Sequence, residues 1–557
     1  MRLFVVLFAA TVLLSAQADR IEAERIRPHV KFLSDDLLEG RGPGARGGLL
    51  AQEYIAAQFA AAGLKPAGDL GSFPQKVGSF PQEVGSFPQK VGSFLQKVPL
   101  KLVEPDAANA HLGYSIAGQN VGLKWLDDFI ATTHRQLSKV AFDADVVFVG
   151  HGISAPEFGW DDYKGVDVKG KVVVLFTGEP PSSDPSFFAG KALTYYGRWT
   201  YKYEEAARQG ALGALIIHTS PTASYGWQVV RGQSRPMPQV AYTPGAPALE
   251  LAGWITSEAA TKLLGAVNLS VDSALAAADK RGFQAQTLGV KVKANMEFRV
   301  SDINTGNVIG MVPGSDAKLK SEAVIFSAHW DHLGIGAPVD GDVIYNGALD
   351  NATGCGMLIE MARAWASMEP KPKRSAYFAA VTAEESGLFG SKYLAEHPPV
   401  PAGRIAANLN FDSFSPLGRT RDAGMPGAER TTLWDLVQKD AKEAGLAFKG
   451  DNHPEAGGYY RSDHFSFARA GVPAFSIGMG SNFVAKPAAF TPERMKLFGA
   501  SYHQPSDEYN DDWDFSGMEQ FARFGVTLGV HIANLDTLPS WQKGDEFLAT
   551  REKSGVR

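Results

Sequence analysis

Short apolar runs followed by polar turns predict the strands of the second half of the chain. Residues 323–327 (AVIFS) and 376–381 (AYFAAV) have the length and the β-branched or aromatic content of buried strands. Between them, apolar residues recur at helical spacing over 354–368, which predicts a helix. A strand, a helix and a second strand in this order are typical of an α/β sheet.

Polar and charged residues, which are unfavourable inside a buried strand, follow both runs. His329 and Asp331 come after the first run, and Glu384 and Glu385 come after the second. Asp350 lies in the loop that precedes the predicted helix. Because functional groups collect where the strands of an open α/β sheet end, we expect these side chains to share one site. Imidazole and carboxylate groups are zinc ligands, so the pattern predicts a zinc site.

Two later segments place further polar candidates where strands meet loops. A strand predicted over 406–411 ends in Asp412. The loop GYYRSDHFSF then carries Arg461 and Asp463 ahead of a last strand near 472–477. Both segments therefore follow the rule that candidate functional groups lie next to strand ends.

The loop SYHQPSDEYN, before a closing helix predicted around 518–535, supplies Tyr502 and His503. Five candidate ligands thus come from separate loops: His329, Asp350, Glu385, Asp412 and His503. They are too many for one tetrahedral zinc with an open position, but they suit two zinc ions about 3.5–4 Å apart that share a carboxylate. Glu384, next to a ligand, is the candidate that takes a proton from water and passes it to the leaving amine.

Composition adds limits to this interpretation. The 557 residues exceed the size at which one hydrophobic core stops growing, so two domains are expected. A net charge of -6 gives no electrostatic reason to expect nucleic acid as a partner. The single cysteine, Cys355, allows no internal disulfide and is predicted to be a buried small residue rather than a nucleophile. His332, His453 and His464 are likewise predicted to be structural.

The N-terminal residues have the pattern of a secretory signal. Arg2 gives a basic start, an apolar core covers 3–14, and Ala16, Gln17 and Ala18 form a small-residue cleavage signal. The apolar run is shorter than the ~20 residues of a membrane span, which disfavours a membrane anchor. We therefore predict a secreted or periplasmic protein with no stable membrane association after signal cleavage.

Residues 71–98 form a four-fold heptapeptide repeat with the copies GSFPQKV, GSFPQEV, GSFPQKV and GSFLQKV. Pro and Gly in the repeat exclude a continuous helix. We predict that the last copy forms a strand and that the others form a surface loop, because extra loop length costs little free energy. A binding role for the repeat stays open.

Six segments together resemble one family of enzymes: SAHWDHLG, GALDNATG, AVTAEESGLFGS, NFDSF, YRSDHFSFA and YHQPSDEY. They are similar to the co-catalytic di-zinc aminopeptidases of metallopeptidase family twenty-eight, in the branch with an inserted protease-associated (PA) domain. The resemblance implies a three-layer α/β/α zinc-exopeptidase fold with a mixed central sheet, together with an inserted β-rich PA-like domain. The repeat departs from the family, which has one copy of that segment.

The resemblance also implies a role for each site residue. His329 and Asp412 would hold one Zn²⁺, Glu385 and His503 would hold the other, and Asp350 would bridge them. Asp331 would orient the imidazole of His329 from behind, Glu384 would be the general base and then the general acid, and Tyr502 would hydrogen-bond the oxyanion. Arg461 and Asp463 would lie near the substrate, and the peptide bond between Asp350 and Asn351 would be cis.

Changes in the pattern of apolar runs and turns along the chain, together with the positions of these residues, predict the domains. A middle module has short apolar runs between Gly-rich turns and lacks a cluster of His and acidic residues, so we expect packing or gating rather than chemistry. The predicted units are a signal peptide over 1–18, an N-terminal part of the peptidase domain over 19–138, an inserted PA-like domain over 139–288, the catalytic zinc peptidase domain over 289–540 and a C-terminal tail over 541–557.

The predicted activity is removal of N-terminal residues from peptides by a zinc exopeptidase. A free α-amine needs acids such as Glu384 and Asp412 nearby, whereas a terminal carboxylate needs an arginine cluster, so an aminopeptidase is favoured. A carboxypeptidase or dipeptidase on the same scaffold is the alternative. A metal-free binding protein and a glutaminyl-cyclase-like transferase with one zinc are further possibilities, and the sequence does not predict an oligomeric state.

Overall fold

A computed structural model gives the structure of residues 20–69, 93–116, 118–448, 453–487 and 490–555. The predicted signal peptide and most of the heptapeptide repeat lie outside these residues. The last repeat copy contains the strand Leu95–Lys97, as predicted. Within the described ranges, no helix combines the length and the apolar character needed to cross a membrane.

Nine strands of the described chain form a mixed sheet that carries the predicted site. Four central strands run parallel, in the spatial order Ser375–Val381, Ala323–His329, Ile405–Phe411 and Ala474–Met479. Gly306–Val312 pairs antiparallel with the first of these. The remaining strands lie at the edges: Lys65–Pro66, Leu95–Lys97, Asp422–Gly424 and Ala447–Phe448. Because parallel strands present their carboxyl ends at one edge, the residues after them meet there.

Helices cover both faces of this sheet. Side chains alternate along the strands, so Val324 and Phe326 pack into one core while Ile325 packs into the core on the opposite face. The helices of the first face are Ala23–Leu33, Arg46–Ala61, Thr353–Ala366, Trp434–Glu443 and Ser516–Asn534; those of the second are Phe389–Glu396, His464–Arg469 and Leu548–Lys553. The predicted three-layer α/β/α fold with a mixed central sheet is confirmed.

A second, β-rich sheet of ten strands, counted over the same described ranges, stands beside the first. Its strands are Leu100–Pro105, His111–Ile116, Gln119–Leu123, Phe129–Thr132, Lys139–Phe148, Val172–Phe176, Gly213–His218, Met237–Val240, Leu251–Thr256 and Gln286–Asp302. The helices of this region are Trp199–Arg208, Ser220–Ala223, Trp227–Gly232, Ser257–Gly265 and Val271–Ala278. The region has cores of its own on the two faces of the sheet.

The second sheet extends beyond the module boundaries that the sequence predicts. Leu100–Pro105, placed in the N-terminal part of the peptidase domain, pairs with the long strand Gln286–Asp302. That strand also pairs with Lys139–Phe148. The β-rich unit therefore spans about 100–302 rather than 139–288, because these pairings join segments far apart in sequence and leave no local signal. We call this unit the β-rich domain, and its assignment as a PA-like domain stays a prediction.

In the described ranges the strands not yet named form two hairpins, and one further α-helix is present, besides short 3₁₀ and π-helical turns. The hairpins are Gly334–Val339 with Asp342–Tyr345 and Ser154–Ala155 with Trp160–Asp161. The helix Phe490–Ser501 ends just before Tyr502 and His503. That helix therefore delivers the last two predicted site residues to the edge of the first sheet.

Candidate metal centre

Three neighbouring parallel strands deliver most of the predicted site residues to one edge. His329 is the last residue of Ala323–His329, Asp412 directly follows Ile405–Phe411, and Glu384 and Glu385 follow Ser375–Val381. Asp350 and His503 arrive from loops. The peptide bond Asp350–Asn351 is cis, as the resemblance implies. The structure thus brings all five predicted ligands together.

The two carboxylate oxygens of Asp350 face two different imidazoles. Asp350 Oδ1 lies 3.1 Å from His329 Nε2, and Asp350 Oδ2 lies 3.3 Å from His503 Nε2. His329 Nε2 also lies 3.3 Å from Asp412 Oδ1, and His503 Nε2 lies 3.0 Å from Glu385 Oε2. The donors therefore form two groups that share Asp350. This arrangement is the one that a bridging carboxylate between two cations requires.

The donor set fits divalent cations. Donor atoms of His329, Asp350 and Asp412 lie within 4.8 Å of one another, as do those of His332, Asp350 and Glu385. All are nitrogen or oxygen atoms of types that bind zinc. Glu385 Oε1 is buried, and its neighbour His332 Nδ1, 2.7 Å away, is not aligned for a hydrogen bond. A buried carboxylate oxygen without a hydrogen bond is costly unless a cation neutralises it.

The raised pKa values of the His329 and His503 imidazoles show that positive charge is stabilised in the site. Burial alone lowers the pKa of His329, but the carboxylates of Asp412 and Glu384 outweigh burial and hold this pKa well above its usual value. Burial also lowers the pKa of His503, yet Glu385 and Asp350 raise it to about 9. Without another cation, the imidazoles would hold protons to balance the carboxylates.

The surrounding carboxyl groups show the same excess of negative charge. Burial is the main cause that raises the pKa of Glu384 well above its usual value, with further increases from Glu385 and Asp412. Burial raises the pKa of Asp331 to about 7 and that of Asp463 to about 7. Two divalent cations would relieve this repulsion, so the electrostatics favour metal binding.

Asp331 lies behind the site, as expected, but it holds His329 less directly than the resemblance implies. His329 Nδ1 is 3.1 Å from the backbone oxygen of Asp331 and 3.9 Å from its carboxylate Oδ1. That carboxylate accepts the backbone N–H of Glu384 at 3.2 Å. The backbone carbonyl therefore orients the imidazole, while the side chain fixes the loop that carries Glu384 and Glu385.

The predicted substrate residues divide into two groups. Tyr502 and Arg461 line a cleft of about 750 Å³ next to Glu384 and Glu385. Tyr502 keeps 42% of its surface exposed, and its ring stacks on His503 with ring centroids 3.9 Å apart. Asp463 is fully buried and does not line the cleft. The carboxyl group of Asp463 is therefore turned away from the cleft, and its role at the substrate stays a prediction.

Two residues outside the predicted site set fix the ligands. His332, predicted to be structural, places Nδ1 2.7 Å from Glu385 Oε1, without hydrogen-bond alignment. Asp507 accepts the backbone N–H of Leu349 at 2.9 Å and that of Asp350 at 3.1 Å. Both lie inside segments that carry predicted ligands, and that proximity was the available signal. Cys355 is buried, as predicted, with its thiol directed at the carbonyl of His329.

Arg41, from the turn-rich segment LLEGR, is a further residue that sequence reasoning missed. It is buried and donates to four backbone carbonyls: Leu33, Trp330 at 2.8 Å, Asn346 at 2.5 Å and Gly347 at 2.8 Å. Leu33 ends the helix Ala23–Leu33, whereas the other three carbonyls belong to the segments that lead to Asp331 and Asp350. Arg41 therefore links the N-terminal helices to the loops of the site.

Arg41→Met is expected to lower the free energy of unfolding by about 3–5 kcal/mol, because it leaves several buried carbonyls without donors. Urea titration followed by circular dichroism measures this change. Arg46→Met is the matched control, since Arg46 is exposed and pairs with Glu39 at 3.3 Å in solvent. That control should cost less than about 1 kcal/mol. Equal costs for both variants would contradict the structural role given to Arg41.

The cleft lies between the metal centre and the β-rich domain. Arg198, Tyr203, Tyr225 and Trp254 of the β-rich domain contribute to its wall. Arg461 reaches across to this domain, where it donates to the carbonyl oxygen of Ala223 at 3.4 Å and to the hydroxyl of Ser224. The β-rich domain therefore forms part of the candidate site and does more than pack beside it.

Comparison with known proteins identifies relatives of the site-bearing part of the chain. Residues 307–524 match the model of Peptidase family M28. Leupeptin-inactivating enzyme 1 of Streptomyces exfoliatus is 26% identical over 218 residues, which are 38% of this chain and 44% of that protein. A probable zinc metalloprotease of Pyrenophora teres f. teres is 28% identical over 123 residues, 22% of this chain and 25% of that protein. The matched segments thus span less than half of these relatives.

One solved structure resembles nearly the whole fold. The aminopeptidase from Aneurinibacillus sp. strain AM-1 has a TM-score of 0.53 and 20% sequence identity. The similarity covers 93% of this chain and 96% of that chain. At this identity the likeness concerns the fold alone.

Proposed function

We propose that the protein, whose residues 307–524 match the model of Peptidase family M28, is a zinc-dependent aminopeptidase that removes N-terminal residues from peptides. The observation that carries the proposal is the placement of the two oxygens of Asp350, which face the imidazoles of His329 and His503 at 3.1 and 3.3 Å. An ion site shared between two groups of donors is suited to hydrolysis of a carbonyl compound by water.

Two Zn²⁺ ions fit the donor set. His329 and Asp412 would hold one ion, Glu385 and His503 would hold the other, and Asp350 would be shared. When bound, the pair supplies Lewis-acid polarisation of the scissile carbonyl and makes water a stronger acid. Ser462 Oγ donates a hydrogen bond to Asp412 Oδ2 at 2.5 Å. This bond holds the carboxylate so that its other oxygen, Oδ1, faces His329 Nε2 at 3.3 Å.

Glu384 is the group that moves protons. Its carboxylate takes a proton from the attacking water as the carbon–oxygen bond forms. It then returns that proton to the amine nitrogen as the carbon–nitrogen bond breaks. Glu384 lines the cleft directly beside the ligand Glu385, so its carboxylate is placed to carry the proton between the two atoms.

Tyr502 and the acidic floor of the site position the substrate. The Tyr502 hydroxyl, at the cleft wall, donates a hydrogen bond to the carbonyl oxygen as that atom gains negative charge. The α-ammonium group of a peptide is attracted to the surplus of carboxylates, among them Glu384 and Asp412. This attraction places the first peptide bond, rather than an internal one, next to the proton-transfer group.

Hydrolysis of leucine p-nitroanilide by zinc-loaded protein tests the proposal. We expect release of nitroaniline, loss of activity with a chelator, and recovery when zinc is added back. The N-acetylated anilide should react at least about 30-fold more slowly, since it lacks the ammonium group whose desolvated pairing is worth about 2 kcal/mol. Shortening of an acetylated peptide from its C-terminus would instead establish the carboxypeptidase alternative.

The evidence for the location of the protein in the cell comes from the sequence of residues 1–18, which lie outside the described ranges. We propose export to the periplasm or the medium, supported by the apolar run and small-residue motif of residues 1–18. N-terminal sequencing of protein recovered outside the cytoplasm tests this proposal. A mature chain that retains residues 1–18 would contradict it.

A further inference from the structure

The last copy of the heptapeptide repeat, residues 92–98, lies at the edge of the sheet that carries the candidate site. Its strand Leu95–Lys97 pairs antiparallel with the strand Gly306–Val312. The copy also contacts residues near the end of the neighbouring strand and helix. We call the surface that receives this copy the repeat seat, and it consists of residues 305–309, Ala383 and His397.

Gln96 holds this copy in the repeat seat by both ends of its amide group. Asn307 Nδ2 donates to Gln96 Oε1 at 2.9 Å, and Gln96 Nε2 donates to the carbonyl oxygen of His397 at 2.9 Å. Gln96 keeps 7% of its surface exposed, and Asn307 is fully buried. Loss of the Gln96 amide would therefore leave buried polar groups of the repeat seat without their partner.

Asn307 also holds the loop that carries Glu384. Its Oδ1 accepts the backbone N–H of Thr382 at 3.0 Å, and its Nδ2 donates to the carbonyl oxygen of Gly390 at 2.9 Å. Thr382 directly follows the strand Ser375–Val381 and precedes Glu384 by two residues. One asparagine thus connects the heptapeptide to the loop of the residue that we place at proton transfer.

Val98 supports the same loop by packing. It is buried in a small apolar cluster that contains Ala383, the residue before Glu384. Ala383 has a positive φ of 54°, a conformation that a residue with a Cβ keeps only when its surroundings hold it. The heptapeptide is part of those surroundings, so it contributes to the direction of the backbone at Glu384.

The side chains that hold the last copy are the same in all four copies. Every copy has Phe, Gln and Val at its third, fifth and seventh positions, which in the last copy are Phe94, Gln96 and Val98. The copies differ at the fourth position and at the sixth, where Lys97 is exposed. Only the fourth position therefore bears on whether another copy fits the repeat seat.

Proline, which the other three copies have at the fourth position, is compatible with the repeat seat. Val98 N–H donates to the carbonyl oxygen of Thr305 at 3.1 Å. Antiparallel pairing bonds alternate residues to the partner strand, so Leu95, three positions away, directs its N–H away from the seat. That N–H donates to Ser93 Oγ of the same copy at 3.0 Å. A proline there removes no hydrogen bond to the seat, as is usual on an edge strand.

Leu95 explains why the last copy is the one that lies in the repeat seat. Its side chain packs against the core on one face of the sheet, which favours this copy over a proline copy by about 1 kcal/mol. Placing the third copy in the seat would lengthen the connection to the strand Leu100–Pro105 by one heptapeptide. Because a change of loop length costs little free energy, the copies are close to one another in their stability in the seat.

We propose that the repeat seat is a docking site for any of the four copies of the heptapeptide, and that the docked copy positions the loop of Glu384. Gln96 is then a positioning residue, since it acts on Glu384 through Asn307. The effect on catalysis rests on the aminopeptidase function proposed above, whereas the exchange of copies does not. The residues equivalent to Gln96 in the other copies are Gln75, Gln82 and Gln89.

Kinetics of glutamine variants of zinc-loaded protein test the proposal. Gln96→Ala should lower kcat on leucine p-nitroanilide by less than about threefold, because another copy takes the seat. Changing all four equivalent glutamines to alanine should lower kcat about tenfold or more and leave KM within about twofold, because Glu384 is then misplaced.

Restoring Gln89 alone is the matched control for the variant with four alanines, since the two chains differ at one position. This change should return kcat to within about threefold of the wild-type value. A variant with four alanines that is no slower than Gln96→Ala would overturn the proposal. A chain with Gln89 restored that stays as slow as the variant with four alanines would overturn it as well.

Disulfide trapping detects the exchange of copies without an activity assay. Leu95 lies opposite Val308 in a pair without mutual hydrogen bonds, whose close spacing suits a disulfide. Pro88→Cys with Val308→Cys should form a disulfide when the third copy docks, and adding Gln96→Ala should raise its yield about threefold or more. Leu95→Cys with Val308→Cys is the positive control. Lys90→Cys with Val308→Cys is the control for register, because the sixth position of a docked copy does not face Val308.

The trapping experiment separates failure of this proposal from failure of the proposed function. If wild-type protein hydrolyses nothing while the disulfide of Pro88→Cys forms, the aminopeptidase assignment fails and the docking of several copies stands. If hydrolysis occurs and only Leu95→Cys forms a disulfide with Val308→Cys, the exchange of copies fails and the assignment stands.

Discussion

Glu384→Gln is expected to lower kcat on leucine p-nitroanilide by about 10²–10⁴-fold, the range that a positioned proton-transfer group contributes. The amide of glutamine has nearly the same size as the carboxylate but cannot accept the proton of water. Glu384 is also the only cleft-lining carboxylate that we place at proton transfer instead of metal binding. Steady-state kinetics on protein loaded with zinc, with zinc content measured in parallel, determines the change.

The zinc content of Glu384→Gln should match that of wild-type protein, because Glu384 is not among the five proposed ligands. KM should change by less than about threefold, since substrate binding depends on other groups. Glu53→Gln, an identical change on the exposed side of the helix Arg46–Ala61, serves as the control and should leave kcat unaltered. A Glu384→Gln protein with a tenth or more of wild-type kcat would exclude Glu384 as the proton carrier.

Asp350→Asn is expected to have the second large effect, through metal content. Asp350 is the residue that both donor groups share, and the substitution removes its negative charge while keeping its shape. Loss of a hydrogen-bonded partner behind a metal ligand costs about 10–100-fold in metal affinity, and loss of a shared ligand should cost more. After dialysis, elemental analysis should find fewer than one zinc per chain, against two in wild-type protein.

Asp340→Asn is the matched control for Asp350→Asn. Asp340 is exposed on the hairpin next to the site, and its positive φ of 52° is a conformation that Asn also adopts readily. Its variant should retain two zinc ions and full activity. Retention of two tightly bound zinc ions by Asp350→Asn would show that Asp350 does not bridge, and the division of ligands proposed here would have to be changed.

The positions of three proposed ligands, His329, Glu385 and Asp412, could be predicted because each follows a strand signal. Asp350 and His503 lie in loops next to helices, so their motifs indicated them instead. Apolar runs over 323–327 and 376–381 indicate buried strands, and buried parallel strands share one functional edge. The metal-site geometry then follows from the sheet order. The boundaries of the β-rich domain could not be found in this way, because Leu100–Pro105 and Gln286–Asp302 pair across almost the whole module.

Arg198 and Asp463 show what local patterns leave out. Arg198 lies in a segment without a cluster of His and acidic residues, and only the fold brings it to the cleft that Arg461 also lines. Asp463 lies in a motif next to Arg461, yet the loop directs the two side chains to different places. Membership in a motif therefore identified the region, whereas the direction of each side chain depended on packing with other elements.

His503 lies in a loop near the C-terminal end of the sequence and has the highest residue number of the five proposed ligands. A ribosome makes the protein from its N-terminus, so this imidazole is the last of the five to emerge. A nascent chain would therefore lack one of the five proposed ligands until nearly all of it has been synthesised. For the exported aminopeptidase proposed above, this order would delay peptide cleavage until synthesis of the chain is nearly finished.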